Sequence, residues 1–165
     1  MKIGVLSDTH GTVPKQVYDF FMDCDELWHA GDLGVGVLDE LKKFKPVVAV
    51  YGNMDGYDVR GIIPETQFFT RENHKILMTH IGGHPKRFEA KILHAIESLK
   101  PNIFVCGHSH ILRIMYDAAH EMLCINPGAA GRSGFHKVST LVRFSLDEQP
   151  HDLEILDFPK FESLI

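Results

Sequence analysis

The chain has 165 residues, of which 44% are hydrophobic and 24% charged; this suits one folded domain over residues 1–165 and excludes a disordered or fibrous protein. The net charge of −5 gives no support to an extended nucleic-acid-binding surface. No apolar run approaches the roughly 18–20 residues of a membrane span, so we expect no membrane partner.

The first fifty residues alternate short apolar strands with amphipathic helices. Helical spacing of Val17, Phe20 and Phe21 predicts a first helix after Pro14. A second helix is predicted over residues 35–44, ending before a proline. Strands are predicted over residues 2–7, 26–30 and 46–51. This βαβαβ order favours parallel pairing.

The pattern then changes. Two strands over residues 66–71 and 74–79 are predicted to pair through a turn at Glu72 and Asn73. A helix over 88–99 and a strand over 102–106 follow. The remaining strand candidates have no helix between them, and we expect them to form an antiparallel second sheet; they cover residues 112–117, 121–126, 138–145 and 153–156. The partly apolar tail, 158–165, is expected to dock on the body or on a partner chain.

Metal-type residues recur directly after five of the predicted strands. Ligands in open α/β sheets bind at the carboxyl ends of the strands, so we expect these groups to meet at one edge as a single metal centre. The groups are Asp8-Thr9-His10, Gly31-Asp32, Gly52-Asn53, Thr79-His80 and Gly107-His108-Ser109-His110.

The residue types and spacing fit a site for two cations. Divalent metals take His nitrogen and carboxylate oxygen, and two metals about 3.5–4 Å apart need a bridging group. Asp32, on its own loop between the others, is the candidate bridge. Asp8 and His10 are close enough in sequence to reach one metal, whereas His108 and His110 can be aimed at different metals.

We predict separate roles for other residues in or near these groups. Asn53 offers an amide oxygen and His80 an imidazole. His29 lies inside a predicted strand, which favours a buried histidine over a direct metal ligand. The glycines before the candidate ligands are expected to let the backbone turn sharply at strand ends; they are Gly31, Gly52 and Gly107.

With these groups in this order, the chain resembles the calcineurin-like metallophosphoesterase superfamily, and within it the small bacterial and archaeal phosphodiesterases. The resemblance runs from Met1 to about Asp157. It implies a four-layer α/β/β/α sandwich, with two mixed sheets flanked by helices, and a dinuclear site. On matching positions, one metal would be held by Asp8, His10, Asp32 and His110. The other would be held by Asp32, Asn53, His80 and His108.

The resemblance also implies a reaction. Two divalent metals, manganese in the first place and iron, zinc or nickel as alternatives, would hold a bridging hydroxide that attacks a small phosphodiester. Asn53 would help stabilise charge on the phosphoryl oxygens. Two alternatives remain open: a phosphomonoesterase or nucleotidase using the same site, and a non-catalytic module like the retromer subunit that shares this fold. The complete set of ligand positions disfavours the second.

The chain departs from many superfamily members in two places. Met54 stands where they carry a histidine thought to assist the leaving group, although Asp55 fits the G-N-x-D form of the small phosphodiesterases. The leaving group could take its proton from water, Asp55 or His84. Ile81 replaces the glycine that usually follows the ligand histidine, and His84 is either a pocket group or an exposed loop residue.

Substrate contacts are predicted in the Gly-rich segment 126–132. The backbone near Gly128 would line the pocket and Arg132 would clamp an anion, with His136 and Arg87 as weaker candidates. The alternative is a tight turn with Arg132 facing solvent.

Three cysteines without a scaffold spacing are expected to be buried free thiols in a reducing compartment. The chain enters its first strand without a signal-peptide pattern, so we expect a cytoplasmic protein. The family resemblance is compatible with a homo-oligomer.

Overall fold

The computed structural model describes residues 1–161. Within them, the helices are α1 (Lys15–Phe20), α2 (Val37–Phe44), α3 (Tyr57–Arg60) and α4 (Ala90–Leu99). The strands are β1 (Lys2–Leu6), β2 (Glu26–His29), β3 (Val47–Ala49), β4 (Thr66–Arg71), β5 (His74–Thr79), β6 (Gly83–His84), β7 (Arg87–Phe88), β8 (Ile103–Val105), β9 (Leu112–Asp117), β10 (Met122–Pro127), β11 (Val138–Leu146) and β12 (Pro150–Pro159). None of these helices is both long and apolar enough to cross a membrane.

The strands form two mixed sheets of five strands and a small β6-β7 hairpin. The first sheet has the order β12-β11-β1-β2-β3, in which β1, β2 and β3 are parallel and β11 runs antiparallel to β1. The second has the order β4-β5-β8-β10-β9, in which β5, β8 and β10 are parallel and the edge strands β4 and β9 are antiparallel. Both sheets are mixed, as predicted.

The prediction that the last four strands form an antiparallel second sheet is wrong. β10 joins the second sheet parallel to β8, whereas β11 returns to the first sheet and pairs with β1. Most of β11 is buried, because it is covered on both faces inside the first sheet. Strand periodicity marks such a segment as a strand but does not determine which strand it pairs with.

Three apolar clusters separate the four layers. The first packs α1 and α2 on the first sheet, through residues such as Val17 and Leu41. The second lies between the sheets and contains Trp28 and Ile103, and the third packs Ile92 of α4 on the second sheet. The predicted α/β/β/α sandwich is therefore confirmed.

Local differences from the prediction have local causes. The turn at Glu72 and Asn73 joins β4 to β5 as predicted, with φ of 46° and 65°. Helix α4 begins later than predicted because Phe88 pairs with Gly83 in the hairpin. Phe158 of the predicted tail is buried, whereas 162–165 lie outside the described residues.

Candidate metal centre

The loops that carry the candidate ligands are hydrogen-bonded to one another beyond the carboxyl ends of the strands. The backbone amide of His10 donates to the carbonyl of Asp32 at 3.0 Å, and the amide of Gly107 donates to the carbonyl of His80 at 3.0 Å. The amide of His108 also reaches Oδ2 of Asp8, at 3.2 Å. Loops from both sheets thus meet at one edge, as the strand-end pattern predicts.

Asp8 lies at the middle of this edge and is fully buried. Its Oδ2 atom accepts hydrogen bonds from the Ser7 hydroxyl, at 2.6 Å, and from the His108 amide. Its Oδ1 atom has no hydrogen-bond partner among the described residues. That oxygen faces three imidazole Nε2 atoms: His110 at 3.1 Å, His80 at 3.8 Å and His10 at 3.9 Å.

Asp32 is held in the same way. Its Oδ1 atom accepts a hydrogen bond from the Met54 amide at 2.8 Å. Its Oδ2 atom lies 3.2 Å from Nε2 of His80 and 3.9 Å from Nε2 of His10. In both carboxylates, therefore, one oxygen is fixed by the protein and the other points toward histidines.

The hydrogen-bond network assigns the tautomer of His80. Nδ1 of His80 lies 2.7 Å from the Ala30 carbonyl, and because a carbonyl only accepts, Nδ1 must donate. The neutral ring then carries its lone pair on Nε2. Within residues 1–161, the Nε2 atoms of His80 and His10 are buried without a hydrogen-bond partner.

These atoms form two groups that could hold a metal, Asp8-His10-His110 and Asp8-Asp32-His80, with ligand atoms within 4.8 Å of one another in each group. Unpartnered buried polar atoms are costly, and divalent cations held by these two groups would satisfy those of Asp8, His10 and His80. The donor set of imidazole and carboxylate fits such a cation. Asp8 is common to both groups, while Asp32 faces one histidine of each, so its predicted bridging role stays a prediction.

Two further candidate ligands lie at the exposed rim. The His108 ring is exposed, and its centroid is 5.3 Å from that of His80. Asn53 is also exposed, and its backbone carbonyl accepts a hydrogen bond from Arg60 at 2.9 Å. Their direct contact with a metal stays a prediction.

The electrostatics of the centre keep its carboxylates ionised. Burial raises the pKa of Asp8, but His110, His80 and the Ser7 hydroxyl outweigh burial, and the pKa is lowered. The pKa of Asp32 is lowered for the same reasons, with His80 as the strongest neighbour. Two buried carboxylates that are negative at neutral pH make the edge attractive to cations.

An unusual backbone conformation marks the ligand loops. Five candidate ligands have left-handed φ values, which are uncommon for non-glycine residues and cluster at functional sites. These are Asp8 (56°), His10 (48°), Asp32 (55°), His108 (68°) and His110 (58°). Asp and His adopt this conformation more often than most residues, but that preference is too weak to predict it at a given position, so sequence reasoning missed it.

The glycines before the ligands have a second role beside the predicted turns. Gly31 does have a left-handed φ, of 95°. Gly52 and Gly107 do not, but the backbone turns at both: the Asp55 amide donates to the Gly52 carbonyl at 3.3 Å, and the Ser109 amide donates to the Gly107 carbonyl at 2.8 Å. A Cβ on Gly52 would lie 2.1 Å from Oδ1 of Asp32, and one on Gly107 would lie 2.0 Å from Oγ of Ser7. Both glycines therefore make room for groups of the metal centre.

His29 is fully buried behind the centre, as expected of a core histidine. Its Nδ1 accepts the amide hydrogen of Gly31 at 3.2 Å, and its Nε2 lies 2.9 Å from the Thr9 hydroxyl. That hydroxyl donates to the Leu33 carbonyl, so His29 must donate to Thr9. Burial lowers the pKa of His29 to about 3, which keeps the ring neutral.

Asp55 is buried and fastens two of the ligand loops together. Its carboxylate accepts backbone hydrogen bonds from Leu33 at 3.2 Å, Gly34 at 2.8 Å and Gly52 at 2.8 Å. The loop after β2 is thereby tied to the loop after β3, which carry Asp32 and Asn53.

His84 lines a cavity of about 130 Å³ beside the metal centre, together with His108, Ser109 and Arg113. Its Nδ1 lies 3.0 Å from the Pro85 carbonyl, to which it must donate. His84 is half-buried, and its Nε2 has no hydrogen-bond partner among the described residues.

The predicted substrate contacts lie in the segment after β10. Gly128 is buried, and a Cβ there would lie 2.1 Å from Oγ1 of Thr140. Arg132 is exposed and lines a shallow cleft with Pro14 and Lys160. The same segment brings His136 to His110, an arrangement that sequence reasoning missed: their Nδ1 atoms are 3.3 Å apart. The roles of Gly128 and Arg132 in substrate binding stay predictions.

A four-layer α/β/β/α sandwich whose strand ends gather Asp and His into adjoining metal-type groups defines the metallophosphoesterase class of fold. Residues 1–149 match the family model of the calcineurin-like phosphoesterase superfamily domain. The chain belongs to that family.

Named relatives and solved structures agree with this assignment. A probable metallophosphoesterase of Methanothermobacter thermautotrophicus is 31% identical, over 94% of this chain and 92% of its own. A phosphodiesterase of Methanocaldococcus jannaschii is 28% identical, over 78% of this chain and 83% of its own. The solved structure of an archaeal phosphodiesterase superposes with a TM-score of 0.77 at 24% identity, covering 96% of this chain and 100% of the other.

The same fold occurs in Vps29. The structure of Vps29 from Entamoeba histolytica in complex with zinc superposes with a TM-score of 0.73 at 19% identity, covering 98% of this chain and 100% of the other. At this identity the similarity concerns the fold alone.

Proposed function

We propose that this chain is a metal-dependent phosphoesterase that hydrolyses small phosphodiesters. The observation that carries the proposal is the set of buried ligand atoms without hydrogen-bond partners on Asp8, His10 and His80 within the described chain. A site built of ionised carboxylates and imidazole nitrogens is suited to two divalent cations, with manganese as the first candidate. Relatives named as phosphodiesterases support the choice of substrate.

Divalent cations bound here would polarise a phosphoryl group and lower the pKa of a coordinated water. The chain's own residues hold that site in shape. Ser7 and the His108 amide orient Asp8, and the Met54 amide orients Asp32. Fixed groups of this kind stabilise developing charge without reorganising during the reaction.

Asn53 and His108 lie at the exposed rim, where a substrate would enter. The side-chain amide of Asn53 can donate to a non-bridging phosphoryl oxygen. We propose this role for it in addition to its predicted place as a ligand. The exposed position of Asn53 leaves its amide accessible to a small anionic ester.

Of the two side chains predicted as proton donors, His84 is better placed than Asp55. The Asp55 carboxylate already accepts three backbone hydrogen bonds from the ligand loops, and it does not line the cavity that contains His84. His84 lines the cavity next to His108 and has its Nε2 atom available. We propose that His84, in its protonated form with hydrogens on both ring nitrogens, gives the Nε2 hydrogen to the leaving oxygen and is left neutral, and that Asp55 holds the two loops.

The test is a panel of matched phosphomonoesters and phosphodiesters, assayed after metal removal and reconstitution with Mn²⁺. We expect kcat/KM to be higher for the diesters and activity to disappear with chelation. Higher kcat/KM for monoesters would instead show a phosphomonoesterase or nucleotidase at the same site.

Metal content distinguishes a non-catalytic protein from an enzyme. If elemental analysis of the purified protein shows no divalent metal, and Mn²⁺ neither raises Tm nor restores hydrolysis of any ester, the enzyme proposal is wrong. The Vps29-like alternative would then be favoured.

A further inference from the structure

The His110 ring contacts a second histidine, His136, on the side away from Asp8. Nδ1 of His110 lies 3.3 Å from Nδ1 of His136, and the two rings are nearly perpendicular, with an interplanar angle of 80°. On its far side, Nε2 of His136 lies 3.0 Å from the carbonyl of Gly131. The Gly131 carbonyl, His136 and His110 are thus hydrogen-bonded in series. At the inner end of the series, Nε2 of His110 faces Asp8.

The Gly131 carbonyl determines which ring nitrogens of His136 and His110 carry hydrogens. The Gly131 carbonyl can only accept, so Nε2 of His136 carries a hydrogen and donates it. In the neutral ring, Nδ1 of His136 then has the lone pair and accepts a hydrogen from Nδ1 of His110. The lone pair of His110 is consequently on Nε2, the atom that belongs to the ligand group with Asp8 and His10.

The neighbouring backbone is shaped around the same ring. Gly134 has a φ of 104°, and a Cβ built on it would lie 2.3 Å from Nδ1 of His110 and 2.6 Å from its Cε1. The Gly134 carbonyl accepts a hydrogen bond from Lys160 of the neighbouring strand end. The segment 131–136 thus packs directly against His110 as well as bonding to it.

We propose that His136 is a positioning residue of the metal centre, which accepts the Nδ1 hydrogen of His110 and so presents the Nε2 lone pair of His110 to a divalent cation. The nature of that cation site rests on the proposed function; the tautomer assignment does not. A histidine in the opposite tautomer would carry a hydrogen on Nε2 and could not bind metal through it.

A purely structural role for His136 is distinguishable, because the Gly131 carbonyl has another donor. Oγ of Ser139 donates to that carbonyl at 3.1 Å. Loss of the His136 ring therefore leaves no orphaned carbonyl. Ser139→Ala removes a bond to the same carbonyl without touching His110, and it serves as the matched control.

The direct test is the ¹⁵N NMR spectrum of the histidine side chains in metal-free protein, with His110 assigned by its loss in His110→Gln. We expect His110 to carry a hydrogen on Nδ1 in the wild type and in Ser139→Ala, whether or not Nε2 also holds one toward Oδ1 of Asp8, 3.1 Å away. In His136→Leu both tautomers should appear, and in His136→Asn, whose Oδ1 can replace the acceptor, the Nδ1–H form should return. A wild-type His110 without a hydrogen on Nδ1, or an unchanged spectrum of His110 in His136→Leu, would overturn the proposal.

Metal titration gives the second readout. In His136→Leu, one Mn²⁺ should bind about 10–100-fold more weakly, while His136→Asn and Ser139→Ala should bind it nearly as the wild type does. Equal affinities in His136→Leu and wild type would contradict the proposal. A wild type that binds no divalent metal would instead refute the proposed function, and the tautomer result would still decide the role of His136.

Discussion

Asp32 and His80 face each other across the metal centre, with Oδ2 of the carboxylate 3.2 Å from Nε2 of the imidazole. Nδ1 of His80 already donates to Ala30, so in a neutral ring both facing atoms are lone-pair acceptors. Two such atoms repel each other unless a proton or a cation lies between them. Protons and metal therefore compete for this position.

This competition predicts how metal stabilisation depends on pH. Burial lowers the pKa of His80, but the carboxylates of Asp32 and Asp8 outweigh burial and raise the pKa above its ordinary value of 6.5. In metal-free protein, the resulting stability is fully present below pH 6.5 and is lost as pH rises through the folded-state pKa. Bound metal replaces the proton, so the Tm gain on adding Mn²⁺ should grow between about pH 6 and pH 8.

Thermal unfolding of chelated and Mn²⁺-loaded protein across this range measures the effect. Calorimetric titration in two buffers should also detect protons released on metal binding. His80→Gln, which cannot be protonated there, should show a smaller dependence on pH. The same Tm gain at both ends of the range in the wild type would contradict the competition.

Gly52 tests whether space beside Asp32 is required. Its Cβ would lie 2.1 Å from Oδ1 and 2.4 Å from the amide nitrogen of Asp32, so Gly52→Ala must displace the ligand loop. We expect a stability loss of about 1–3 kcal/mol and an Mn²⁺ affinity lowered by about 10–100-fold.

Gly36→Ala is the control for Gly52→Ala. Gly36 has a φ of 81° and no atom within 4 Å of a Cβ, so alanine costs about 1–2 kcal/mol of backbone strain there. It should leave Mn²⁺ affinity unchanged. Equal metal affinity in the two variants, measured by titration calorimetry, would show that Asp32 is not held by this contact.

His84→Ala tests the proposed proton donor. A general acid matters most for poor leaving groups, so kcat for alkyl diesters should fall by about 10²–10⁴, and kcat for aryl diesters should change little. Plotting rate against leaving-group pKa for both proteins measures the difference. His94→Ala, which removes an exposed histidine from α4, should leave the plot unchanged.

Asp55→Asn should behave differently from His84→Ala. It weakens the backbone hydrogen bonds that tie the loops after β2 and β3, so Tm and metal affinity should fall. All substrates should slow by a similar factor. If Asp55→Asn instead selectively slowed alkyl diesters while Tm was kept, Asp55 would be the acid and the assignment to His84 would be wrong.

Much of the site could be predicted because its residues follow strands, and strand ends have a known place in α/β sheets. Asp8, His10, Asp32, His80 and His110 meet at one edge for this reason. What the sequence could not show is how each ligand is held. The contact between His110 and His136 joins segments 26 residues apart, and no local pattern indicates it.

In the fold, too, contacts between residues near in sequence could be predicted and long-range contacts could not. Hairpin β4-β5 was predicted with its turn, because its pairing is local in sequence. The pairing of β11 with β1 links Phe144 to Ile3, and hydrophobic periodicity is the same whichever strand lies alongside. Asp55 is another case, because two of its three amide partners, Leu33 and Gly34, lie more than twenty residues away and no local pattern indicates them.

His29 gives a prediction about acid stability. Burial lowers its pKa to about 3 from 6.5, so between these values the unfolded chain binds a proton that the folded protein does not. Folding stability therefore falls as pH drops below 6.5, by up to about 1.4 kcal/mol per pH unit from this residue. Above pH 6.5, His29 makes no contribution to the pH dependence of folding stability, because its imidazole is neutral in both the folded and the unfolded state.

His29→Gln separates this effect from the other acid-sensitive groups. Glutamine can still donate to Thr9, but it leaves the amide of Gly31 without its acceptor. The variant should therefore be less stable by about 1–3 kcal/mol at pH 7.5. Because glutamine does not titrate, this deficit should shrink as pH falls below 6.5. Urea unfolding of chelated protein at several pH values measures the difference, and a deficit that stays constant down to about pH 4.5 would mean that folded His29 is protonated despite its burial.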